Sequence, residues 1–259
     1  MDFLKDKKGF ICDMDGVIYH GNKLLDGVKE FVNWLKETDK KFLFLTNNSN
    51  KTRQQLQIKL KKMGLDVGLD NFYTASLATA KFLKSQGAKT AYVIGDYALI
   101  GALEDEGINF DSDNPEYVVI GETSDYNYDK IKLATLLVNK GAKLIGTNTD
   151  LTAPTEEGIV PACRSLIAPV EYATGKSAYF VGKPNPLMMR TAMEMFHQYG
   201  IHSKDVAMIG DRMDTDIIAA IESGIDSVLV LSGVSSLDTV KQFPYGPKVI
   251  LNGVGDIVK

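Results

Sequence analysis

The sequence predicts an α/β protein built on a parallel sheet, with a second α/β unit inserted into the first. Three observations predict it. Short apolar runs alternate with amphipathic stretches almost to the end of the chain, the pattern of strands joined by crossover helices. Several of the apolar runs stop in a short polar or Gly-rich turn. One interval between such turns is far longer than a single crossover needs. The 259 residues suit two domains at roughly 100–150 residues each.

In chain order the candidate strands are Phe10–Cys12, Phe42–Leu45, Ala91–Ile94, Tyr117–Ile120, Lys143–Ile145, Val206–Ile209 and Val228–Leu231. Runs this short, and apolar on both faces, fit strands buried beneath helices. After the first strand, Val28, Phe31, Val32 and Leu35 share one helical face. After the second, Leu56, Leu60 and Met63 share another, and Gly64 supplies a stop. Ile217 to Ser223 reads as a further helix.

Composition narrows the function classes. Hydrophobic residues at 44% and charged residues at 24% are ordinary for a globular chain and exclude wholesale disorder. A net charge of −4 offers no basic surface, so neither nucleic acid nor a membrane is an expected partner. Cys12 and Cys163 are the two cysteines and form no disulfide framework. Only four residues, Gly9 to Cys12, separate the charged N-terminal stretch from Asp13, too few for a signal-peptide core, so the cytoplasm is the expected compartment. The oligomeric state is left open, a homodimer included.

The strand-end turns hold the chemistry, because open parallel sheets bind ligands at the carboxyl ends of their strands. Asp13-Met14-Asp15-Gly16 follows the first strand. Two such acids can divide labour, one ionised as nucleophile or metal ligand and one protonated as donor; the alternative is an exposed Asp-rich turn. Gly210-Asp211-Arg212-Met213-Asp214-Thr215-Asp216 follows a later strand. Three acids there suit a hard cation such as Mg²⁺; the alternative is a helix start capped by Asp214. Thr46-Asn47-Asn48 ends the second strand, where a hydroxyl and turn amides could hold a phosphate oxygen. Gly182-Lys183-Pro184-Asn185-Pro186 sets one lysine in a proline-flanked turn before a helix. Each of these last two also reads as a plain surface turn. The five cations of Lys51 to Lys62 read as a solvated helix face, and His20 as either a surface histidine or part of the site entrance.

Taken together, DMDGV, LTNN, GKP and GDRMDTD, in that order, resemble the four motifs of haloacid-dehalogenase-type hydrolases. GDRMDTD, VLVLSGVSS and the ATG…VGKPNP stretch are similar to the NagD-type phosphatases of that superfamily. The resemblance covers essentially the whole chain. It implies a Rossmann-like parallel-sheet core with an inserted α/β cap, and a magnesium-dependent phosphatase acting on nucleoside monophosphates or small sugar phosphates through an aspartyl phosphate. It implies Asp13 as nucleophile and Asp15 as acid and base. The Asp13 carboxylate, Asp15 carbonyl and Asp211 carboxylate would hold Mg²⁺. Thr46, the Asn47 amide and Lys183 would hold the phosphoryl oxygens, with Asp216 acting from behind the ligands. Charge agrees with this. A phosphate monoester brings about −2 and Asp13 with Asp211 another −2. One Mg²⁺ and Lys183 return +3, so both are needed before nucleophile and target can approach.

Asp13 and Thr46 lie 33 residues apart, Thr46 and Lys183 137. Residues 1–83 and 179–259 are therefore expected to form the core and 84–178 the cap; its Gly146–Asp150 turn, with Asn148 and Asp150, is either the specificity loop, as the resemblance implies, or a cap loop without ligand contact. Two rivals remain at this point: a phosphotransferase or mutase on the same scaffold, and a non-catalytic phosphate-binding protein of receiver type.

Overall fold

The computed structural model describes residues 2–155 and 158–259. The chain divides into two compact units. The first holds the chain up to Thr46, Arg53–Tyr73 and Lys183–Lys259; the second holds Asn47–Thr52 and Thr74–Gly182.

The first unit is built on a six-stranded sheet. Its order is Val249–Leu251, Asp226–Val230, Val206–Gly210, Gly9–Cys12, Lys41–Thr46 and Phe72–Thr74, and the pairings from Val249–Leu251 through Lys41–Thr46 are parallel. Gly9–Cys12 is buried along its whole length, as an apolar run covered on both faces must be. Helix Val28–Glu37 buries Val28, Phe31, Val32 and Leu35, the face marked by their spacing. Phe31 and Trp34 meet Phe10 edge-on, with ring centroids 5.8 and 5.7 Å away, a favoured aromatic geometry. Helix Arg53–Lys62 buries Leu56 and Leu60. The two edge strands, three residues each, are too short to stand out as apolar runs.

Strand register explains the location of the chemistry. Cys12 lies opposite Ile209 on one side and Phe44 on the other. The three central strands therefore end nearly level, and Asp13, Thr46 and Asp211 emerge at one carboxyl edge.

The second unit carries a five-stranded parallel sheet. The order is Tyr179–Phe180, Lys143–Gly146, Tyr117–Ile120, Thr90–Ile94 and Asn109–Phe110. Helices Tyr128–Lys140 and Cys163–Thr174 contribute Leu137, Val138, Ile167 and Val170 to its core. Its limits differ from 84–178. Helix Ala75–Ser85 packs along helix Tyr97–Asp105, and its Phe82 stacks on Tyr179. At the other end, Val181 and Gly182 donate to the carbonyls of Gly146 and Thr147. The turn-rich stretch after Asp150 contains an antiparallel hairpin, Thr152–Thr155 with Gly158–Pro161; Glu156 and Glu157 lie outside the described residues. No described helix is long and apolar enough to cross a membrane.

Candidate active site

In the first unit, strand pairing runs one residue past Cys12: the Asp13 N–H donates to Ile209 O at 2.8 Å. That bond fixes where the carboxylate leaves the sheet. Lys183, from the turn before helix Pro186–His197, is 2% exposed. Its ammonium donates to Asp13 Oδ1 and, at 2.6 Å, to Asp216 Oδ1. Asp216 is held in turn: its Oδ2 accepts from the backbone N–H groups of Asp211 at 3.2 Å and Arg212 at 3.1 Å. Asp211 Oδ2 accepts from Val234 N at 2.7 Å.

Close approach of the main chain is a condition of this arrangement. Gly16 has φ +78°, and a Cβ there would stand 2.5 Å from Asp211 Oδ2. A Cβ on Gly233 would overlap the same carboxylate. Both positions need glycine, the first for its backbone as well.

One oxygen each from Asp13, Asp211 and Asp216 fall within 4.8 Å of one another. Three acids around one ammonium leave an excess of negative charge in a buried place, and the titration of the groups reflects it. Burial raises Asp13 well above the usual carboxylate range; Lys183 opposes this, and Asp216 and Asp211 add to it. Burial and Asp216 push Asp211 up to about 7. Burial pulls Lys183 down, but Asp13 and Asp216 more than offset that and its net shift is upward. An all-oxygen donor set short of positive charge fits a hard divalent cation.

Asp15 is set apart from this cluster. Its carboxyl is 48% exposed, 3.9 Å from His20 Nδ1. Burial raises its pKa, with Lys59 and His20 opposing. Lys59, one of the five cations expected on a solvated face, rests with its ammonium 3.7 Å from the Tyr19 ring centroid. Asp214 does not cap the helical segment Met213–Ile217; it pairs with Arg212, while Asp216, inside that segment, accepts from the N–H groups of Asp211 and Arg212 that precede it.

In the second unit, Asn47, Asn148 and Asp150 are brought together. Asn47 Nδ2 donates to Asp150 Oδ2 at 3.1 Å. Asn148, fully buried, donates to Asn47 O at 2.7 Å and to Glu122 Oε1 at 3.0 Å, and its Oδ1 accepts from Asp150 N at 3.0 Å. Burial pushes Glu122 up to about 7; the Asn148 and Ser49 hydrogen bonds oppose this, and the Asp150 and Asp96 carboxylates add to it. Asp96 heads helix Tyr97–Asp105 and accepts from Thr123 Oγ1. Sequence reading did not single out Glu122, Ser49 or Val234, although Val234 lies in the VLVLSGVSS stretch.

The chain matches the family models of haloacid dehalogenase-like hydrolases over residues 10–109 and 180–257. It is 41% identical to a dihydroxyacetone phosphatase of Corynebacterium glutamicum, over 96% of this chain and 90% of that one. It is 38% identical to the ribonucleotide monophosphatase NagD of Escherichia coli over 96% and 98% of the two chains, and the NagD structure superposes with a TM-score of 0.91. A Mycobacterium tuberculosis glycerol phosphate phosphatase solved in complex with magnesium is 27% identical, with a TM-score of 0.89 over 97% of this chain and 76% of that one.

Proposed function

The chain belongs to the haloacid dehalogenase-like hydrolases and is a phosphoric monoester hydrolase, and from that premise we propose that Asp13 is its nucleophile in a magnesium-dependent reaction. The observation that carries this reading is the buried Lys183 ammonium shared by Asp13 and Asp216, with the Asp211 carboxylate beside them. The lysine aims Asp13 and opposes the upward shift that burial and the neighbouring acids impose on it, and the surplus of carboxylate charge is what a divalent ion would neutralise.

Asp13 Oδ attacks phosphorus in line, forming an O–P bond as the ester P–O bond breaks. Asp15 gives its proton to the leaving oxygen; its raised pKa suits a group that must start protonated. The alcohol departs. Asp15, now a carboxylate, takes a proton from water as that water attacks phosphorus, and phosphate leaves with Asp13 restored. Thr46, the Asn47 amide and Lys183 hold the phosphoryl oxygens through both steps. Bound at Asp13, the Asp15 carbonyl and Asp211, Mg²⁺ would supply charge neutralisation. Asp216 keeps Lys183 and the Asp211 main chain in place.

The substrates are small-molecule phosphate monoesters, the class to which the named relatives' activities belong. The second unit is the specificity unit in this reading, with Asp150 reading the leaving group and Asn148 placing it. Transfer to a sugar instead of water would use the same residues, and release of free phosphate without an acceptor separates the two. The test of the nucleophile is Asp13→Asn. Its circular dichroism should match wild type while phosphate release drops by several orders of magnitude. Activity within tenfold of wild type removes Asp13 from the role.

A further inference from the structure

Glu122 lies outside every motif discussed above, yet it sits at the centre of a polar network in the second unit. Each carboxylate oxygen takes a different donor. Oε1 accepts from Asn148 Nδ2 at 3.0 Å, and Oε2 accepts from the Ser49 backbone N–H at 3.3 Å. The Glu122 N–H donates to Ser49 Oγ at 3.0 Å. Ser49 is thus gripped at its main chain and its side chain by one residue. Asn148, held by Glu122, donates its amide to the carbonyl of Asn47 at 2.7 Å. The carbonyl of residue 47 and the N–H of residue 49 are therefore both fixed through Glu122. Between them runs the main chain directly after Thr46.

We propose that Glu122 is a positioning residue for the phosphate-binding turn: through Ser49 and Asn148, its two carboxylate oxygens fix the main chain that carries the Asn47 amide. The inference rests on the reading of Asn47 as a phosphate-holding residue. Above about pH 7, where the side chain is ionised, it requires a carboxylate, not merely a polar side chain of that size. Both incoming groups are donors, so two acceptors are needed. A glutamine offers one acceptor and turns an NH₂ toward the other donor. Asn148 cannot rotate to match it, because its oxygen already accepts from Asp150 N and its amide already serves Asn47 O.

The decisive variant is Glu122→Gln, close to isosteric with wild type. Circular dichroism and thermal melting establish that it is folded. Inorganic phosphate is then used as a competitive inhibitor against an aryl phosphate substrate at saturating Mg²⁺ and at a pH well above 7, where Glu122 is ionised. The phosphate Ki and the substrate KM should rise together by about tenfold, the cost of losing a hydrogen bond to a charged group. The Mg²⁺ midpoint should be unchanged, since Asp13 and Asp211 are untouched. Asn148→Ala should raise Ki in the same direction, and the double variant should be no worse than the weaker-binding single one, because both act through one chain of contacts. A general loss of structure would instead lower kcat and leave Ki and KM alone.

The proposal is overturned by a folded Glu122→Gln with Ki and KM within twofold of wild type, by a drop in kcat alone, or by effects that multiply in the double variant. Should Glu122→Gln fail to fold, an unchanged phosphate Ki in Asn148→Ala overturns it equally. Asp13→Asn separates this failure from that of the underlying reading. If Asp13→Asn is inactive and Ki is unmoved, only the role of Glu122 falls. If Asp13→Asn stays active, the site reading fails and this inference with it.

Discussion

Titration of Glu122 gives a stability prediction with a definite sign. In the folded protein its carboxyl holds a proton up to about pH 7, against an ordinary value of 4.5. Between those two points the folded state binds more protons than the unfolded chain, so stability falls as pH rises through the window and levels off above it. At about 1.4 kcal/mol per pH unit the full effect is about 3 kcal/mol. Glu122→Gln carries no such proton, while Asp150 and Asp96, the carboxylates facing it, remain in both proteins. The difference in Tm, variant minus wild type, should therefore become more positive from about pH 5 to about pH 8, by about 6–12 °C for a chain of this size. Calorimetric melting of both proteins in matched buffers measures it. A difference constant to within about 2 °C across that range, or one that moves the other way, refutes the reasoning. The variant predicted to lose phosphate affinity would then gain relative stability in alkali, a conflict common where a polar group is kept for function.

Phosphate release should vanish in EDTA, return with Mg²⁺ and be inhibited by Ca²⁺, whose larger size and higher coordination number would displace the Asp13 carboxylate; full activity under chelation contradicts the site. Asp150→Ala should lower kcat/KM by roughly 5- to 150-fold for substrates whose leaving group it hydrogen-bonds and leave a small aryl phosphate little changed. An equal fall for a nucleotide, a sugar phosphate and an aryl phosphate would mean that Asp150 does not read the leaving group. Asp216→Ala removes a buried partner of Lys183 and the acceptor for two backbone N–H groups. Lys183 keeps Asp13 and the crowding of acids is relieved, so the two N–H groups left without an acceptor set the cost, about 2–4 kcal/mol in urea unfolding; a loss below about 1 kcal/mol would show that those bonds contribute little.

The central strands and the acids at their ends were legible because both signals are local. An apolar run of four residues followed by Asp, Thr or Gly-Asp can be read without knowing what it packs against. The helix Val28–Glu37 was legible for the same reason, its apolar face being continuous in the 3.6-residue period. What escaped was decided by distant partners. Ser49 and Glu122 are 73 positions apart, Ser49 and Thr147 98, and none is unusual as a residue type. Helix Ala75–Ser85 has an apolar face that would suit either unit; its packing on Tyr97–Asp105 and the stacking of Phe82 on Tyr179 assign it. Lys59 was one cation among five until the fold set it over Tyr19. Asp214 is a plausible cap by composition, and its pairing with the Arg212 side chain takes it out of that role.

The division of the chain bears on how such proteins can be recombined. Asn47–Thr52 packs with the second unit although it directly continues the strand that ends in Thr46. Moving Thr74–Gly182 alone into a relative would leave behind the partner that Glu122, Asn148 and Ser76 grip. The acceptor's own residues at 47–52 would then have to satisfy those donors and acceptors by chance. The unit of exchange is two segments, one of them only six residues long, and a chimera that omits the short one should express as a folded protein with weak affinity for phosphate.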